Sequence, residues 1–124
     1  MNNKYNDEVQ NKWKNTDAYK EYIEKTKNYS SNKWNSVNEG LNDIFVLFAL
    51  NLKLEQTQES LEVQELVEQL RTYITKNYYN CTKEILSNLG LMYTSDERFR
   101  NNIDKYGNGL ARFIKAAIDY YCLS

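Results

Sequence analysis

The chain has 124 residues, enough for one domain with a buried core and too few for two. Its 16 Lys and Arg against 17 Asp and Glu leave a net charge of -1, without the basic excess that neutralises phosphates, so direct nucleic-acid contact is not expected. With no histidine and only two cysteines, Cys81 and Cys122, a zinc site built from Cys and His and a haem held by a proximal histidine are both excluded.

Proline is absent, glycine occurs 4 times, and Leu, Ile, Glu, Lys and Asn recur at helical spacing, which predicts an all-α fold. The N-terminal stretch through Tyr29 has helical spacing at Val9 and Trp13, then at Tyr19, Tyr22 and Ile23, on a thin apolar stripe. Helices this short are marginal without tertiary support, so residues 1–30 read as a labile arm on a core of residues 31–124. From Ser31 the positions Trp34, Val37, Leu41, Ile44, Phe45 and Phe48 follow one helix face, and that helix should end near Leu54. Its apolar run "IFVLFALNL", residues 44 to 52, is well short of the ~20 residues that span a bilayer. The N-terminus lacks the apolar core of a signal peptide, and the expected location is cytoplasmic.

After the polar "EQTQE" at 55 to 59, Ser60 is placed to cap a second core helix with Val63, Leu66, Val67, Leu70, Tyr73 and Ile74 on its buried face. "NYYN" at 77 to 80 marks its exit. A third core helix is predicted through Cys81, Ile85, Leu86, Leu89 and Met92. Ser95 reads as the cap of the next, with Asp96 and Glu97 at the positive end of its dipole and Phe99, Ile103 and Tyr106 buried. Gly107 and Gly109 suit a helix stop, and Leu110, Phe113, Ile114, Ala117, Ile118 and Tyr121 form one side of the last helix. No internal repeat or domain linker interrupts the chain, which reads as one domain over 1–124.

Two blocks of residues carry a resemblance to a known family. Leu89-Gly90, Met92-Tyr93, Asp96, Arg98-Phe99, Ile103-Asp104, Gly109-Leu110-Ala111 and Ala117-Ile118 form one, and Trp13, Thr16, Ala18, Tyr19, Thr26, Tyr29 and Trp34 the other. Together they resemble the TipA-type antibiotic-recognition domain, the C-terminal effector domain of a group of MerR-family bacterial transcription activators. The resemblance implies an irregular, globin-like helical bundle without haem or other cofactor, which clamps a bulky aromatic antibiotic such as a thiopeptide between an N-terminal arm and the core. It implies a binding protein rather than an enzyme, either a drug sensor or a drug-sequestering form, with a possible homodimer through a fused DNA-binding domain. Where family members carry histidines this chain has Leu70 and Tyr78, and of a cysteine pair found in some members only Cys81 is present, Asn88 standing at the second position.

The 11 tyrosines exceed what a small helical core needs and offer rigid, amphipathic surface for planar rings. The residues expected to meet ligand are Trp13, Tyr19, Trp34, Tyr78, Tyr79, Cys81, Met92, Tyr93 and Phe99. Each has a plainer role: the two tryptophans and Tyr19 as staples of the arm, Met92 as core, Cys81 as a buried inert thiol. Asp96, Arg98 and Asp104 read as structural. Two other functions stay open: a protein-interaction module using the aromatic face, and a covalent drug trap if a helix start beside Cys81 lowers its thiol pKa.

Overall fold

The computed structural model describes residues 16–123, and over that span all the regular structure is helical. The helices are α1 (Asp17–Thr26), α2 (Ser31–Lys53), α3 (Leu61–Asn77), α4 (Lys83–Ser95), α5 (Glu97–Asp104) and α6 (Leu110–Leu123). Val9 and Trp13 lie outside the described residues.

Side-chain caps set the helix starts. Thr16, Ser30, Ser60 and Thr82 each accept from the backbone N–H three residues on, satisfying a donor that the first turn leaves orphaned. Two boundaries differ from the sequence expectation. Ser95 is the last residue of α4, and Asp96 caps α5 through a carboxylate that accepts from Arg98 N. A carboxylate at the helix N-terminus gains from the dipole as well as the hydrogen bond, so it takes the cap over the neighbouring serine. Cys81 precedes α4 and is not part of it, because its backbone N–H bonds to Thr75 Oγ1 instead of following the helix. On α1 the buried line is Ala18 and Thr26, with Tyr22 between them half-buried, and Ile23 stands out at 45% exposure.

The core lies where α3, α4 and α6 meet the inner face of α2. Phe48, Val63, Val67, Leu70, Leu86, Leu110, Ile114 and Ile118 are fully buried there. The α4–α6 contact is the most extensive in the fold. It depends on Gly90, where an added Cβ would come within 3.3 Å of Ile118 Cγ2.

The α5–α6 corner is built from the punctuation seen in the sequence. Gly109 has φ +79, which glycine adopts without a Cβ clash, and it leaves the start of α6 with no capping side chain of its own. Asp104 fills that role, its Oδ1 accepting from Ala111 N at 2.8 Å. Arg100 closes the other side, donating to Thr94 O at 2.9 Å.

Candidate functional site

The five elements other than α6 enclose a cleft of about 540 Å³. Its floor is Phe45 on α2 and Tyr93 on α4, packed edge to face with ring centroids 5.9 Å apart. Phe99 extends the wall from α5, its ring 6.4 Å from that of Tyr93. Leu41, Ile74, Leu89, Met92 and Ile103 supply aliphatic surface, while Asn42, Asn102 and Lys105 bring polar groups. The exit from α3 contributes Tyr78 and Tyr79, and α1 reaches in with Tyr22.

Burial keeps this chemistry neutral. It raises the pKa of the Tyr78 phenol to about 12 and pushes those of Tyr22, Tyr79 and Tyr93 upward as well. The phenols therefore stay protonated at physiological pH, as donors and ring surfaces rather than as bases.

Beside the cleft an aromatic cluster ties α1 down. Tyr22 stacks on Tyr78 with centroids 6.3 Å apart and planes 11° from parallel. Trp34 meets Tyr22, Tyr29 and Tyr78, and Tyr19 stacks on the outer side of Tyr22. Three polar tethers join the same region: Tyr29 OH donates to Asn77 O, Lys25 Nζ to Thr75 O, and Asn80 N to Glu21 Oε2.

Of the residues expected at the site, Tyr78, Tyr79, Met92, Tyr93 and Phe99 line the cleft. Trp34 and Tyr19 sit one ring away, reaching it through Tyr22. Phe99, expected to be buried, is 40% exposed, because the cleft opens where core would otherwise cover it. Cys81 is fully buried and does not line the cleft, and burial raises its thiol pKa to about 11. That environment holds a thiol inert. Trp13 lies outside the described residues. Leu70, at one of the histidine positions, is core, whereas Tyr78 at the other is cleft wall.

Leu41, Phe45, Ile74, Leu89 and Ile103 were legible only as core face, and Asn42, Asn102 and Lys105 carried no signal at all. Tyr22 was visible as an arm residue, and its place beside Tyr78 depends on the return of α3. Asp96 is bonded by Arg98 at 3.1 Å and Asp104 by Ala111 N, so both carboxylates serve the corner.

An all-helical scaffold that surrounds a largely apolar, tyrosine-rich cleft, with a few amides and one ammonium at its edge, defines a small-molecule binding domain. More particularly, the chain belongs to the TipAS antibiotic-recognition domain family, whose model matches residues 5–121. It is 35% identical over 114 residues to the HTH-type transcriptional activator TipA of Streptomyces coelicolor, and equally to that of Streptomyces lividans. Those matches cover 92% of this chain and 45% of each relative. The HTH-type transcriptional activator mta of Bacillus subtilis is 34% identical over 118 residues, 95% of this chain and 45% of that protein. The chain thus spans less than half the length of the curated relatives it matches. A solved structure of TipAS from Streptomyces lividans in complex with the thiopeptide nosiheptide superposes with a TM-score of 0.85 at 32% identity, covering 99% of this chain and 86% of that one. Among the described residues no helix is long and apolar enough to cross a membrane.

Proposed function

We propose that this domain binds a bulky, multi-ring, apolar antibiotic of the thiopeptide kind, reversibly and without catalysis, in the cleft between α1 and the core. The observation that carries this is the cleft itself, about 540 Å³ walled by Tyr22, Phe45, Tyr78, Tyr79, Tyr93 and Phe99, in a chain whose structural relative was solved with such a ligand. Stacking on rigid rings gives contact area at low entropic cost, and the edge amides and phenols fix orientation.

Among the described residues of the N-terminal arm, α1 acts as the cover. Tyr22 belongs at once to the cleft wall and to the cluster that holds α1, so a ligand touching Tyr22 and Tyr78 favours the closed arrangement by its extra contacts there. In a longer protein with a DNA-binding segment that bias makes the domain the drug sensor of a MerR-type activator. Standing alone in the cytoplasm, the domain lowers free drug.

Two observations weigh against the alternatives. Cys81 lacks the access and the low pKa that a covalent trap needs. The rings of Tyr22, Tyr29, Trp34 and Tyr78 around α1 pack on one another, so each already spends on its neighbours part of the surface that a partner helix would need.

The test is a titration of the domain with thiopeptides, following tryptophan fluorescence, melting temperature and intact mass. A saturable signal with a raised melting temperature and unchanged mass supports reversible recognition. A mass gain abolished by Cys81→Ser would replace it with covalent capture.

A further inference from the structure

The polar equipment of the cleft is one-sided. Among the described residues that line it, Lys105 is the only charged one, and no aspartate or glutamate faces the cavity. Of the acids of α5 and its cap, Asp96 and Asp104 are turned to Arg98 and to Ala111 N, and Glu97, in the first turn, is not part of the lining. No carboxylate among the described residues lies within ion-pair distance of Lys105.

A cleft rich in aromatic rings is ordinarily a good cation site, since ring faces attract ammonium groups. Here one ring of the lining already carries a cation: the Lys105 ammonium sits 5.4 Å from the centre of the Tyr106 ring. The protein's own cation thus occupies a ring that a cationic ligand would use, and repels that ligand as well.

Resting on the ligand-site reading above, we propose that Lys105 makes the cleft selective by charge, admitting neutral and anionic multi-ring ligands and disfavouring cationic ones. Lys105 also follows the last residue of α5, where a positive charge complements the helix dipole. That stabilising role is indifferent to the charge of a ligand, so ligand selectivity separates the two.

The experiment uses the whole chain and three fluorescent probes that share one ring system: pyrenebutyrate, pyrenebutanol and pyrenebutyltrimethylammonium. Wild type is expected to bind the anionic probe about fivefold more tightly than the cationic one, the scale of one partly exposed charge contact. Lys105→Gln should bring the two together, chiefly by tightening the cationic probe as the Tyr106 face opens. Lys105→Glu should reverse the order by about the same factor, and the neutral probe should move by less than about twofold in either variant. Salt should compress the wild-type difference. Binding of all three probes with equal affinity, or a preference that survives both substitutions, overturns charge selection and leaves the ligand site standing. Failure of the folded wild type to bind any of the three overturns the pyrene-sized cleft and this inference together, whereas a thiopeptide response in the same sample keeps the antibiotic reading.

Discussion

The two sides of the cleft are held by different forces. The α4 side is packed: Leu86 is fully buried, Gly90 lets α6 approach closely, and Tyr93 is 6% exposed. The α1 side is tied: Ala18 and Thr26 are its buried residues, and its attachment rests on ring contacts and three polar tethers to residues 75–80. Dense packing resists displacement because every neighbour must move with it, while exposed hydrogen bonds open individually at low cost. On the proposed function a binding cleft would gain from that asymmetry, one wall setting shape and the other adjusting to ligand. The contrast also makes predictions, since substitutions on the two sides should fail in different ways.

The largest effect is expected on the packed side. Leu86→Ala removes a fully buried side chain and should cost about 2–5 kcal/mol, lowering the denaturation midpoint of the whole domain in one transition. A separate early transition confined to α1 would show instead that the two sides are uncoupled.

Alkaline pH attacks two buried tyrosines of the lining, Tyr79 at the exit of α3 and Tyr93 on α4, which are 8% and 6% exposed. Their folded pKa values are raised by burial above the ordinary 10.0. Below pH 10 both states hold these two protons, which then cost no stability; above it the unfolded chain ionises first, so their contribution falls as pH rises. One pH unit above the unfolded pKa the loss should reach about 1.4 kcal/mol for each of the two tyrosines. Denaturant melts between neutral pH and pH ~11 give the slope, and Tyr79→Phe with Tyr93→Phe should reduce it, Tyr78 and the Cys81 thiol, also raised by burial, carrying the rest.

On the tied side, Tyr78→Ala removes both a cleft wall and the ring on which Tyr22 and Trp34 rest. Ligand affinity should fall about tenfold, or roughly 1.4 kcal/mol. Tyr29→Phe deletes only the phenol that donates to Asn77 O at 2.8 Å, worth about 1 kcal/mol. Hydrogen exchange should then quicken in α1 while the amides of α4 and α6 keep their protection. Equal quickening throughout would mean that α1 belongs to the cooperative core.

This division also explains what the sequence made legible. Ser60 declares its helix because a capping hydroxyl acts within three residues, and the buried faces of α3 and α6 follow a spacing that needs no knowledge of the partner. The cleft is different. Asn42 and Lys105 become neighbours of one cavity only after α2 and α5 have been placed, and nothing local to either residue distinguishes it from ordinary surface. The family resemblance pointed to Tyr93 and Phe99 through their joint spacing. Even so, Phe99 lining a cleft and Phe99 in a core leave the same helical pattern. Cys81 shows the reverse case: the helix that begins two residues on suggests an activated thiol, and burial cancels it.

The smallest predicted effect is a gain, at a place where local sequence and local structure disagree. α2 ends in a full C-terminal cap, with Gln56 N donating to Asn51 O and Glu55 N to Leu52 O, both at 3.0 Å. This pattern needs a left-handed residue after the last turn, usually glycine, and here Glu55 takes it at φ 63. A side chain in that conformation costs about 1 kcal/mol, partly offset by the greater freedom that glycine has in the unfolded chain. Glu55→Gly should therefore stabilise the domain by about 0.5 kcal/mol, read as a small rise in melting temperature with ligand affinity unchanged. Because residue 55 lies beyond the lining of the cleft, a change in affinity would instead reveal that the end of α2 moves when ligand binds. The fixed wall of the cleft, to which Leu41 and Phe45 of that helix belong, would then not be fixed at all.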